Sequence, residues 1–326
     1  MTEPPEERSA PPPAPLPGCR VCVVHVGDME SASFEPLIGD PVGPEFTGVP
    51  ALASDGSVLA VVGIDVDGRL CAWRGQPDSL QQVSERPPIT QPVALVHHLG
   101  QWHLFGTDGD GRARHCTSDD LVSWHDDQRF VDEHPNLSVR GAAATSSGVV
   151  LLGEVTVHGR RMGWTLLEDS EGSLRAREVV FPLTAEHEVV GPAHLGADEL
   201  ALVVVSSTSN LVARSIHGTR GRRWTLGLLS AEITPVVAFG AHGRSWVAGS
   251  SPSGDAPMLA QVGGRSFHLG GAPGAVRAAV MHRDSMVIAR SAVTVEIDPP
   301  TDGWSAGGSQ PSTQSSPAYI DSISSA

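Results

Sequence analysis

Glu45, Arg140, His187, Glu188, Glu232 and Arg277 each stand at or just before the start of a short apolar run, as does the neutral Thr90. Guanidinium groups grip a carboxylate or similar polar group through two parallel hydrogen bonds. Carboxylates crowded together raise one another's pKa and serve as acid and base. If these run starts converge, they form a ligand-binding ring, in which Glu188 and Glu232 are the candidate catalytic bases and Arg140 and Arg277 steady negative charge.

Other chemistry-bearing residues give less. Cys19-x-x-Cys22 is a metal-like spacing, but on a strand positions 19 and 22 face opposite ways, and no second cysteine pair completes a zinc site. His103 and His115 flank the turn Asp108–Gly111, so hairpin pairing sets them roughly opposite each other as a two-ligand metal candidate. No third ligand is placed beside them, and the expectation is no bound metal and no cofactor. All 22 basic residues are arginine, which excludes a Schiff-base lysine and a phosphate-loop lysine. No Gly-x-Ser-x-Gly elbow and no phosphate loop ahead of a long helix is present.

What positions these residues is a repeat. Turns fall at Asp55-Gly56, Leu99-Gly100, Ser147-Gly148, Gly196-Ala197-Asp198, His242-Gly243 and Arg283-Asp284, in steps of 41 to 48 residues. Each turn joins two short apolar runs and a third follows. A period in the forties with several strands per unit is the signature of a propeller blade. The predicted fold is therefore all-β, a six-bladed β-propeller with five or seven blades as alternatives. First strands are predicted at Val49–Ala53, Pro92–Val96, Ala142–Thr145, Pro192–Leu195, Pro235–Phe239 and Val276–Met281. The last unit takes Val293–Ile297 as its third strand and lacks an outer one, while Arg20–Val26 is a strand without a unit, so the N-terminal strand closes the ring. Domain bounds follow: a disordered Pro/Glu-rich lead at 1–18, the propeller at 19–308, and a disordered Ser/Pro/Gln-rich tail at 309–326. That tail holds the single tyrosine, Tyr319, as a docking-peptide candidate.

Ser118-Asp119-Asp120-Leu121-Val122-Ser123-Trp124 resembles the Ser-x-Asp-Leu-x-x-Trp turn of five-bladed glycoside hydrolases acting on furanosides and arabinans. It is also similar to the Asp-box of sialidases, without the Gly and with one residue of spacing missing. The resemblance covers seven residues and implies a propeller in which Asp120 ties off the hairpin and Trp124 packs between blades. It implies no catalytic residue here, since the early inner-strand motif of those enzymes is absent.

The seven tryptophans recur about once per unit, with Trp102 and Trp246 early in second strands. Packing between blades is the favoured role, and a glycan-stacking platform the alternative. A net charge of −15 argues against nucleic acid and anionic membranes as partners. Four scattered cysteines and an acidic N-terminus without an apolar core point to the cytoplasm. The functional expectation is a monomeric recognition or scaffold module that binds a protein or a small polar ligand at the channel mouth. A propeller hydrolase or lyase, and a glycan-binding lectin, are the alternatives.

Overall fold

The computed structural model describes residues 18–25, 37–83, 86–126, 137–145, 148–158 and 160–169. It also describes the strands between 174 and 291, with short stretches beside them. By its contacts the chain divides into Met1–Val293 and Thr294–Ala326, and everything described belongs to the first. The predicted lead, the tail with Tyr319 and the strand Val293–Ile297 lie outside the described residues.

The described elements are antiparallel strands in six sheets. The first sheet runs Ala51–Ser54, Leu59–Ile64, Leu70–Gly75 and Gln81–Val83. The second runs Gln91–His98, Gln101–Thr107, Ala113–Ser118 and His125–Asp126. The third comprises Leu137–Thr145, Gly148–Val157 and Arg160–Asp169, with Leu174–Arg175 and Phe181–Pro182 both against the last of these. The fourth is Glu188–His194, Leu200–Val205, Asn210–Ser215 and Arg223–Leu228. The fifth is Thr234–Ala241, Arg244–Ser250, Pro257–Gln261 and Ser266–His268.

The sixth sheet draws on both ends of the chain. Val276–His282 pairs with Ser285–Ser291, which pairs with Cys19–His25, which pairs with Leu37–Phe46. The N-terminal strand therefore does join the last hairpin, but in third place, against Ser285–Ser291 and in the position predicted for Val293–Ile297. The fourth strand, Leu37–Phe46, has no counterpart in the sequence reading. Its Gly39, Pro41, Gly43 and Pro44 read as loop. A proline is tolerated here because the strand is an edge, where a missing N–H breaks no ladder, and its register slips twice along Cys19–His25.

Among the described residues sheets pack face to face, so strands such as Gln101–Thr107 and Cys19–His25 are apolar on both sides. Along Gln101–Thr107, Trp102 and Leu104 face the first sheet, beside Ala60, Val62 and Ala72. Phe105 faces the third, beside Leu137, Val139, Val149 and Leu151. Trp246, Ala248 and Leu259 of the fifth sheet meet Cys22, Val24, Met286 and Ile288 of the sixth. On the sixth sheet's other face, Cys19, Val21, Val287 and Ala289 meet Leu59, Val61 and Trp73 of the first sheet. Each fully buried Val, Leu or Met in these layers contributes roughly 1.5–3 kcal/mol. Phe46 joins the last layer edge-to-face with Trp73, ring centroids 4.9 Å apart. A Cβ added to Gly63 would collide with the Phe46 ring, so that glycine is required by close approach.

First strands of consecutive sheets are neighbours in chain order, and that of the sixth neighbours that of the first. Each is the edge of its own sheet, with one row of backbone N–H and C=O groups left unpaired by any ladder.

Candidate functional site

Five first strands carry the same defect at the same place. Pairing slips between Pro92 and Ala94, Val139 and Gly141, Val189 and Gly191, Pro235 and Val237, and Val276 and Ala278. One residue is left out of register each time: Val93, Arg140, Val190, Val236 and Arg277. A bulge of this kind bends the strand and re-aims the extra side chain. The sequence carries a signal for it that periodicity alone overlooks. A glycine stands on the second strand just opposite the slip: Gly106, Gly153 and Gly249. A Cβ on Gly106 or Gly153 would run into the carbonyl of Gln91 or Ser138.

Three of the bulged residues lie on one cavity. Val93, Arg140 and Arg277, with Val49 and Pro50 ahead of the first sheet's opening strand, line one cavity of about 150 Å³. Arg140 is half-exposed and its Nε lies 3.3 Å from Glu154 Oε1, a buried carboxylate on the neighbouring strand. Arg277 is exposed and has no ion-pair partner among the described residues. A second cavity of about 280 Å³ adjoins the first, sharing Leu52, Leu95, Ala142, Val237 and Ala279 and adding Ser54, His97 and Met281. Two guanidiniums thus stand on the narrower of two adjoining cavities lined mainly by apolar side chains.

Of the predicted ring, Arg140 and Arg277 share a cavity. Glu188 opens the fourth sheet's first strand. His187 and Glu232 lie outside the described residues. Glu45 is misplaced by the sequence reading. It sits on the outermost strand of the sixth sheet, bound to Arg20 at 2.7 Å across the ladder, because Leu37–Phe46 is an outer strand and not the approach to an inner one. Thr90 is exposed, and its hydroxyl donates to the Thr107 carbonyl.

His103 and His115 do meet, with Nδ1 and Nε2 3.1 Å apart, although the register pairs His103 with Thr117 and sets Phe105 opposite His115. Both are buried, and the His115 ring stacks on Phe105. Among the described residues no group of three His, Cys, Asp or Glu side chains gathers there or elsewhere. Cys19 and Cys22 belong to layers on opposite faces of the sixth sheet, as strand alternation requires. Burial pushes the Cys19 thiol up.

Trp102 and Trp246 are 4% and 2% exposed, each locked between sheets, so neither offers a ring face to a glycan. The Ser118–Trp124 turn is built as its resemblance implies. Asp120 accepts the N–H groups of Ser123 and Val122, which hold its carboxyl below the usual range. Ser118 Oγ accepts the Leu121 N–H, and Trp124 packs against the layer between first and second sheets.

Among solved structures the chain is similar to the SapL1 lectin in complex with α-methyl fucoside. The TM-score is 0.50 at 16% identity, over 71% of this chain and 84% of that one. It is also similar to the Aleuria aurantia lectin, described as a six-bladed β-propeller (TM-score 0.48, 13%, 71% and 79%). A third is Trypanosoma rangeli sialidase (TM-score 0.47, 10%, 82% and 57%). At these identities the likeness is one of fold alone. No family model matches it, and the comparison with curated proteins finds no match.

Proposed function

We propose that the six sheets are blades of one ring, that the N-terminal strand holds it shut, and that the ring is a recognition module for a small polar anion. The blade order is supported by first strands that neighbour one another in sequence, the sixth beside the first. Four buried cysteines, none in a disulfide, fit a reducing compartment.

The observation that carries the binding reading is Arg140 and Arg277 on one small cavity. In a six-sheet ring the third and sixth positions face each other, so two planar forks approach a ligand from opposite sides. Arg140 is pre-set by Glu154, whereas Arg277 is exposed on the same cavity and has no ion-pair partner among the described residues. A carboxylate matches that geometry bidentately. Unpaired backbone groups on the first strands serve its hydroxyls, which favours a small hydroxy acid over an apolar molecule.

Calorimetric titration of the protein with acetate, malate, citrate and inorganic phosphate tests this. At least one should bind, and Arg277→Ala should weaken it about tenfold or more, the value of a charge-assisted contact. Arg20→Ala, whose guanidinium pairs with Glu45 and does not line that cavity, should leave it unchanged. Absence of binding to all four, or binding indifferent to Arg277, overturns the reading.

A further inference from the structure

We infer that Ser54, His282 and Gln76 form a nucleophile, base and positioning residue at the wider of the two cavities, able to transfer an acyl group from a short-chain ester. The inference is independent of the arginine site, since Ser54 lines the wider cavity and the arginines line the narrower one.

Ser54 Oγ lies 2.9 Å from His282 Nδ1, across the junction of the first and sixth sheets and 228 residues away in sequence. His282 Nε2 lies 3.4 Å from Gln76 Oε1. An amide oxygen only accepts, so Nε2 carries the proton, Nδ1 presents its lone pair, and the Ser54 hydroxyl donates to it. Gln76 is held in turn, its Nε2 donating to the Ser57 carbonyl at 2.7 Å. This is the logic of an activated hydroxyl: a nucleophile on a base that a third group orients.

The remaining valences of Ser54 Oγ fit the role. One lone pair accepts the Gly56 N–H at 3.0 Å, which favours negative charge on the oxygen. The other is left for attack. Ser54 is half-buried in the wall of the 280 Å³ cavity, among Leu95, Val96, Ala143, Ala144 and Met281, a lining that suits a short acyl chain. His282 sits behind it, 3% exposed, and Arg283 next to it donates to the carbonyls of Gly56 and Ser57, fixing the loop.

In the acylation step the Oγ–carbon bond forms, the ester's carbon–alkoxy bond breaks, and the Ser54 proton passes through His282 Nδ1 to the departing alcohol. Water then attacks the acyl-serine, gives one proton to Nδ1, and releases the carboxylic acid as that proton returns to Oγ.

The test uses the full chain with a small alkyl fluorophosphonate and with p-nitrophenyl acetate. The fluorophosphonate should form an Oγ–phosphorus bond, expel fluoride, and give an adduct that peptide mass mapping places on Ser54. Ser54→Ala and His282→Ala should each cut labelling and acetate release at least a hundredfold. Gln76→Glu should move the pH midpoint of labelling upward, because a carboxylate on Nε2–H favours the imidazolium; a merely structural role would leave that midpoint in place. If wild-type protein takes up neither reagent at Ser54, or labels with the same midpoint in Gln76→Glu, the inference fails. The wild-type result decides even if Ser54→Ala does not fold. Anion binding at Arg277 would stand whatever the outcome.

Discussion

His282 shows how much a single buried ring can report. Burial lowers its pKa, Arg283 beside it lowers it further, and Asp55 opposes both without prevailing. Its hydrogen bonds to Ser54 and Gln76 suit the neutral ring. Above about pH 6.5 the imidazole is neutral folded or unfolded, and its titration does not affect stability. As pH falls below that value the unfolded chain takes up a proton that the folded chain refuses, so stability is lost until the folded value is passed. His98, lowered by burial and by His97, acts in the same direction. Urea unfolding midpoints measured between pH 8 and pH 5 should therefore fall, and His282→Asn should flatten the slope; an unchanged slope in that variant assigns the effect elsewhere. At this scale the sequence was partly legible. Arg140 and Arg277 stood out because they precede apolar runs in a counted repeat, and the structure sets both on one cavity. Ser54 and His282 were not, because no local pattern joins residues 228 apart, and Glu45 was misassigned because a Gly- and Pro-rich strand looked like a loop.

Strands explain that asymmetry. A unit with two clear hairpins is readable from turn residues and apolar runs, and Gln101–Thr107 falls where the repeat sets it. An edge strand such as Leu37–Phe46 draws its order from the partner it pairs with rather than from its own composition. That partner, Cys19–His25, is the element on which the sixth sheet turns: it pairs on both sides and buries Val21, Cys22 and Val24 completely. Val24 faces the layer shared with Trp246 and Met286. Val24→Asp would set an uncompensated charge there, at a cost of about 3–5 kcal/mol, and should abolish cooperative unfolding or drive the protein into aggregates. Val24→Ile, which keeps the apolar face, should remain folded with a midpoint near wild type. Circular dichroism melts of the two variants separate a strand that is integral to the sheet from one that merely lies on it: a fully folded Val24→Asp would point to the second.

The proposed ring makes a prediction that an open row of sheets does not. In an open array each unit contacts only its neighbours, and the terminal units fray first. Closure removes the ends, so damage at the junction of the first and last sheets weakens every unit together. That junction holds Trp73 against Phe46, Cys19 and Val21 in one apolar layer, beside the polar contacts of His282 and Arg283 with Ser54, Gln76, Gly56 and Ser57. Trp73→Ala leaves a cavity in that layer and should cost about 3–5 kcal/mol. In a closed ring the loss appears in the whole denaturant transition: far-ultraviolet circular dichroism and the fluorescence of the six remaining tryptophans shift together to a lower midpoint. In an open row the first sheet alone melts early, the two probes part, and the main transition stays where it was. Convergence of Arg140 and Arg277 on one ligand requires the first result, because only a ring sets the third and sixth sheets face to face.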